Sequence, residues 1–119
     1  MDPVFDRNGD AVGWFHDSVL YDNFDHYRAV VVDGEVYQLG SSQFLGRLER
    51  GFIWDRNGMV VACLETATPP PELPDFQPYP AEVSLDLPED RSVTQRAPSP
   101  SRLTERWSQR TWDRFLEGQ

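Results

Sequence analysis

The stretch Val4-Phe5-Asp6-Arg7-Asn8-Gly9-Asp10-Ala11-Val12-Gly13-Trp14-Phe15 decides how the chain folds. Its middle, Asp-Arg-Asn-Gly, puts Asp at the first position and Gly at the last of a type I turn. Asn-Gly is also a strong short-range hairpin signal. Beyond the turn, Ala11, Gly13 and Phe15 alternate at the period of a strand. The same tetrapeptide returns at 55–58, and two weaker copies lie between. An aromatic recurs at Phe5, Tyr21, Tyr37 and Trp54, in steps of 16, 16 and 17 residues. An aliphatic precedes each (Val4, Leu20, Val36, Ile53), and a polar residue follows each (Asp6, Asp22, Gln38, Asp55). A small residue recurs at Gly13, Ala29, Gly46 and Ala62, with Phe15, Val31, Leu48 and Leu64 two positions later. Ser18, Gly34 and Gly51 close three of the units.

Each unit reads as a β-hairpin. Period two places Ala11, Gly13 and Phe15 on one face, with Tyr27, Ala29 and Val31, then Phe44, Gly46 and Leu48, then Val60, Ala62 and Leu64 in the other units. All of these are apolar or Gly. The opposite face, with Val12, Trp14, His16, Arg28, Arg47, Glu49 and Glu65, is mixed, so the first is expected to point inward. A lone hairpin is marginal in water, so the four must bury their faces together. The expectation is an all-β core over 1–67: a ring or closed barrel of four hairpins, joined up-and-down, with pseudo-four-fold symmetry. Closure removes exposed sheet edges. The small residues are expected to let the second strands of the hairpins approach at the axis. The second unit departs with Asp25 at the turn glycine, and the third with Gln38 and Ser41-Ser42.

These residues resemble the four-fold beta flower family, small bacterial proteins of uncharacterised function. The resemblance rests on 4–14, on Val36-Tyr37, on Phe44-Leu45-Gly46 and on Phe52-Ile53-Trp54-Asp55-Arg56-Asn57-Gly58. It extends to the Pro-rich middle and to the tail motifs Trp107-Ser108 and Thr111-Trp112-Asp113-Arg114-Phe115-Leu116. It implies a fold and no reaction.

Nine of the ten prolines lie after residue 68. A stretch so rich in Pro, at 68–102, is neither a central strand nor a helix. Its composition suits a solvated tether. Leu73, Phe76, Tyr79, Val83, Leu85 and Leu87 support the other reading, an ordered strap across the ring. Val83-Ser84-Leu85-Asp86-Leu87 alternates and is a candidate short strand. At 103–119, Leu103, Trp107, Thr111 and Phe115 recur every four residues, widened by Trp112 and Leu116. That spacing predicts an amphipathic helix, with Ser101 as its cap and Gly118 at its end. Arg102, Arg106, Arg110 and Arg114 run along the adjacent flank. Such a stripe needs a partner surface: the chain's own ring, another subunit or another protein. Residues 1–67 hold 11 acids and 5 arginines, whereas 101–119 hold 4 arginines and 3 acids. These opposite signs favour docking on the chain itself or on an identical copy.

The chain has 119 residues, one domain's worth, and a net charge of −9. That charge disfavours a nucleic-acid partner. No apolar run reaches the ~20 residues of a membrane span. The acidic N-terminus lacks the features of a signal peptide, and one cysteine, Cys63, excludes an intrachain disulfide. A cytoplasmic protein is the expectation.

Chemistry is sparse. Asp6, Asn8, Asp10 and Asp17 match part of a calcium loop, but Ala11 stands where the sharp-turn Gly belongs, and Met59 replaces the third ligand in the second copy. A hairpin turn explains both copies. His16 and His26 form no ligand pair, and Cys63 would have to be exposed and activated to act as a nucleophile. Asp6, Asp22 and Asp55 are related by the repeat, and capping of each one's own turn is the favoured reading. Phe5, Tyr21, Tyr37 and Trp54 are candidates for a girdle about the axis, either as cross-strand packing or as a platform for a small apolar ligand. No catalytic, cofactor-binding or metal-binding set is assigned. The expected function is a non-enzymatic interaction module that associates with itself as a dimer or higher oligomer, or with another protein, through Leu103, Trp107, Trp112, Phe115, Leu116 and the four tail arginines. The alternatives are an apolar or lipid-like ligand in the axis, and an enzyme with a polar cleft.

Overall fold

The computed structural model describes residues 1–94, 98 and 102–118. Eight strands follow the hairpin repeat: β1 (Asp2–Phe5), β2 (Ala11–His16), β3 (Val19–Tyr21), β4 (Tyr27–Val32), β5 (Glu35–Gln38), β6 (Phe44–Glu49), β7 (Phe52–Asp55) and β8 (Val60–Leu64). Each pairs antiparallel with its sequence neighbour, and β1 meets β8 through Val4–Leu64 and Phe5–Cys63 to close the barrel. The turns inside the hairpins close alike in units one, two and four, and unit three closes across one more residue. The Gly9, Asp25, Ser42 and Gly58 amides donate back to the Asp6, Asp22, Gln38 and Asp55 carbonyls. Asp25 and Ser42 hold the same left-handed backbone as the two glycines, so unit two keeps the turn and unit three keeps its closing residue in a turn one residue longer. Between units, Asp17-Ser18, Asp33-Gly34 and Arg50-Gly51 have positive φ at both residues, the geometry of a tight type I′ hairpin.

The alternation breaks once in every unit. The register shifts at Val4/Phe5, Leu20/Tyr21, Val36/Tyr37 and Ile53/Trp54, a bulge at the start of each second strand. A bulge puts two residues against one and re-aims side chains. Gly13, Ala29, Gly46 and Ala62 are buried, and both alanines belong to the inner core with Val4, Leu20, Val36 and Ile53. Val12, Leu45 and Val61 also pack inside, while Ala11 and Val60 pack outside. The inward face expected for residues 11, 27, 44 and 60 is thereby corrected. Simple period two ran across the bulge.

The small residues have a different cause from the one expected. Second strands never adjoin; each lies between two first strands. A Cβ on Gly13 would lie 2.1 Å from the Tyr21 carbonyl oxygen, and one on Gly46 1.9 Å from that of Trp54. Gly13 and Gly46 make room for the backbone of the next strand at a spacing no Cβ tolerates, whereas Ala29 and Ala62 keep a Cβ at the equivalent places, packed in the inner cluster.

The helix is short. Among the described residues only α1 (Trp112–Glu117) forms, capped by the Thr111 hydroxyl, which accepts from the Arg114 amide, and ended by Gly118 in the left-handed region. Ser101, the expected cap, lies outside the described residues. Residues 102–110 are not helical, and the cause is β8. β1 pairs with β8 only at Val4 and Phe5. The start of β8 therefore needs other partners for its backbone groups. Val60 donates to the Arg106 carbonyl and accepts from the Ser108 amide. A spacing of four fits a strand's period of two as well as a helix turn, so Leu103 and Trp107 share a face in extended chain too.

Residues 68–94 form a strap that runs round the outside of the barrel rather than a free tether. Gln77 donates to the Gly9 carbonyl, Tyr21 to the Asp86 carbonyl, Thr94 to the Ser42 hydroxyl and Thr104 to the Gly58 carbonyl. The circuit passes the four units in order. It closes where the Trp107 indole donates to the Glu72 carbonyl. Residues 83–87 contribute no strand.

Candidate functional site

The four repeat aromatics point away from the axis. Period two sets each one opposite the aliphatic before it, and the aliphatics fill the interior. Phe5 meets Phe76 and Tyr79 of the strap, with ring centroids 4.6 and 5.8 Å apart. The Tyr21 hydroxyl holds the strap at Asp86, and the Trp54 indole holds it at Thr104. Tyr37 stacks edge-on against Phe44, 6.0 Å away. The expected girdle about the axis is corrected: these rings are the outer wall, sealed by the strap or by neighbouring strands. The axis is filled by Val4, Leu20, Ala29, Val36, Ile53 and Ala62 in one cluster with the helix residues Trp112, Phe115 and Leu116.

The tail residues expected to meet a partner are consumed within the chain. Trp112, Phe115 and Leu116 are at most 3% exposed and close the mouth of the barrel on the Asp-Arg-Asn-Gly side. The Trp112 indole donates to the Tyr21 carbonyl at 3.2 Å, beside Gly13. The Gln38 and Gln43 amides hold the Leu116 and Gly118 carbonyls at 3.0 and 3.2 Å. Gln38 stands where the other units have Asp, so the third unit's departure serves the helix. Leu103 and Trp107 pack on the outer cluster around Phe5 and Trp54. Arg102, Arg106, Arg110 and Arg114 form no single helical flank, because only Arg114 lies in α1.

The repeat carboxylates cap their turns. Asp6 accepts from the Asn8 and Asp10 amides, Asp22 from Phe24 and His26, and Asp55 from Asn57 and Met59. Asp22 is also 3.0 Å from Arg28. Burial works against its charge, but the His26 and Phe24 amides and the Arg28 guanidinium outweigh it, and the carboxyl sits below its ordinary pKa. Cys63 is on the outer face yet fully buried. Burial, aided by the charge of Asp6, pushes its thiol up to about 12. It is the opposite of an activated nucleophile. His26 is exposed, with Nδ1 3.7 Å from Asp22, and His16 is half-buried in β2. Among the described residues, no three His, Cys, Asp or Glu side chains gather to hold a metal, and no helix is long and apolar enough to cross a membrane.

A groove of about 340 Å³ at the helix mouth is lined by Asp6, Arg7, Asn8, Ser108, Arg110 and Thr111 among others. Three of its polar groups serve the backbone: Asp6 caps its turn, the Ser108 hydroxyl accepts from the Arg110 amide, and Thr111 caps α1. What stands out lies elsewhere. Among the described residues the large exposed hydrophobic ones are Phe24, Tyr27, Val32, Tyr79, Val83 and Leu87. The first three belong to unit two. Val83 and Leu87 belong to the strap beside it, Val83 sharing a groove with Asn23 and Asp25 and Leu87 sharing one with Tyr27 and Arg28, whereas Tyr79 packs over unit one on Phe5 and Trp14. Phe24 is 72% exposed at a turn tip where units one and four carry Asn8 and Asn57. The repeat held this signal, because a large aromatic at a turn position that favours Asn has no local purpose.

No curated protein and no solved structure matches the chain. The family model of the 4-fold beta flower protein matches residues 2–116, the barrel, strap and helix together, and the chain belongs to that family.

Proposed function

We propose that the protein is a non-enzymatic interaction module, a rigid barrel that presents the unit-two flank to another polypeptide. One observation carries this reading: five of the six large exposed apolar side chains among the described residues belong to unit two or to the strap beside it, while the outer wall of units one and four and the helix mouth are covered by the chain itself. Exposed apolar side chains grouped on one flank mark contact sites. An apolar ligand in the axis has little support, since side chains occupy it. Self-association through the tail loses its basis, since Trp112, Phe115 and Leu116 are already buried.

A photo-crosslinking phenylalanine analogue placed at Phe24, compared with the same analogue at Asn8, tests the reading in cells that make the protein. A discrete crosslinked product from position 24 and none from position 8 is expected. Equal labelling at both positions, or no product at position 24, would overturn it.

A further inference from the structure

We propose that the unit-two flank takes a cationic segment of another polypeptide, one that carries apolar side chains beside its Arg or Lys residues. This rests on the interaction reading above and adds the chemistry of the partner. The apolar ridge is set in acid. Asp25, Glu82, Asp86, Glu89 and Asp90 are all exposed along it. Among the described residues no ion pair reaches any of them. The local bases are engaged elsewhere: Arg28 with Asp22, Arg91 with Asp17, and His26 beside Asp22. Two grooves carry both characters. One places Tyr27 and Leu87 beside Asp86, Glu89 and Asp90. The other places Val83 and Ala81 beside Asp25.

The strap also leaves this turn uncovered. At Gly9 and Gly58 the strap backbone lies against the glycine: an added Cβ would fall 1.8 Å from the Asp75 carbonyl oxygen and 2.1 Å from that of Arg102. Phe76 and Leu103, the next residues in each case, drop into the outer cluster. Unit two has Asp25 at that position in the same left-handed backbone. Its Cβ forbids the strap the same seat, so the Phe24 turn stands clear. A second copy is a poor occupant. Two copies of this flank would set like charges face to face, which costs affinity and slows encounter. Nucleic acid and anionic membrane are repelled for the same reason.

The test is an NMR titration of the ¹⁵N-labelled full chain with three synthetic peptides: one alternating Arg and Leu, one alternating Glu and Leu, and one alternating Arg and Ser. The Arg-Leu peptide is expected to bind saturably, shifting amides at 22–28 and 79–90. Its affinity should fall about ten-fold as salt rises from about 50 mM to about 300 mM, because exposed charges are screened. Phe24→Ser should weaken it about ten-fold, as loss of a central anchor does. The double variant Glu82→Gln, Glu89→Gln should weaken binding and flatten its salt dependence. Equal binding of the Glu-Leu peptide would overturn the charge assignment while leaving the flank as an interface. Equal binding of the Arg-Ser peptide, or shifts scattered over the surface, would overturn the proposal as a diffuse cation effect. A dimer of the free chain that Phe24→Ser converts to monomer would overturn it in favour of a second copy.

Discussion

At Gly9 and Gly58 two demands fall on one atom. Both have φ near +80°, and both would drive a Cβ into the strap backbone. Gly40 shares the positive φ but has nothing within 4 Å. Gly40→Ala should therefore cost only the left-handed backbone, about 1 kcal/mol. Gly58→Ala should cost about 1–3 kcal/mol more, as overpacking against fixed backbone does. Urea unfolding of both variants checks the difference. Asp22 gives a pH signature. Its folded pKa lies below the ordinary value, so its contribution is present above the usual carboxylate range and is lost as pH falls through the folded pKa. Asp22→Asn should lose about 1–3 kcal/mol at neutral pH. Stability curves of the two proteins should converge in acid, and parallel curves down to low pH would contradict the assignment. At this scale the turns were legible in the sequence, since Asp-Arg-Asn-Gly states its own geometry. The reason for Gly13 and Gly46 was not, because a carbonyl approaching from the next strand leaves no mark except the missing side chain.

The helix is the element that turns an open-ended ring into a filled one. Six residues are too few to be stable alone, so α1 exists because Trp112, Phe115 and Leu116 are buried in the barrel. Phe115→Ala should cost about 3–5 kcal/mol, whereas Glu117→Ala on the exposed side should leave stability nearly unchanged. Thermal melts of both variants decide, and similar melts would mean that the helix does not plug the mouth. The amphipathic stripe was legible before the structure, but its length was not. Leu103 and Trp107 fit either periodicity, and the deciding factor is the backbone of Val60, which takes its partners from the tail. The bulges were hidden for a related reason. A residue such as Val12 or Leu45 moves to the inner face only once two residues stand opposite one.

The whole molecule is a four-unit barrel belted by its own second half, with the belt seated on units one and four and bypassing the turn of unit two. The repeat made the barrel readable, since four copies of aliphatic-aromatic-polar can hardly bury their faces any other way. The belt was not readable, because Pro-rich composition describes tethers and straps alike. What separates them is the row of backbone hydrogen bonds to Gly9, Gly58 and Val60, which composition does not encode. The functional reading depends on that belt, for it is the covering of the other flanks that singles out Phe24. Residue-resolved hydrogen exchange on the intact chain tests it most directly. The Gln77, Thr104 and Ser108 amides should exchange slowly, within the range of the β8 amides, while the Asn23 amide exchanges fast. Strap amides exchanging at the rate of an unfolded chain, over a barrel that remains protected, would contradict the belt and the flank it leaves open.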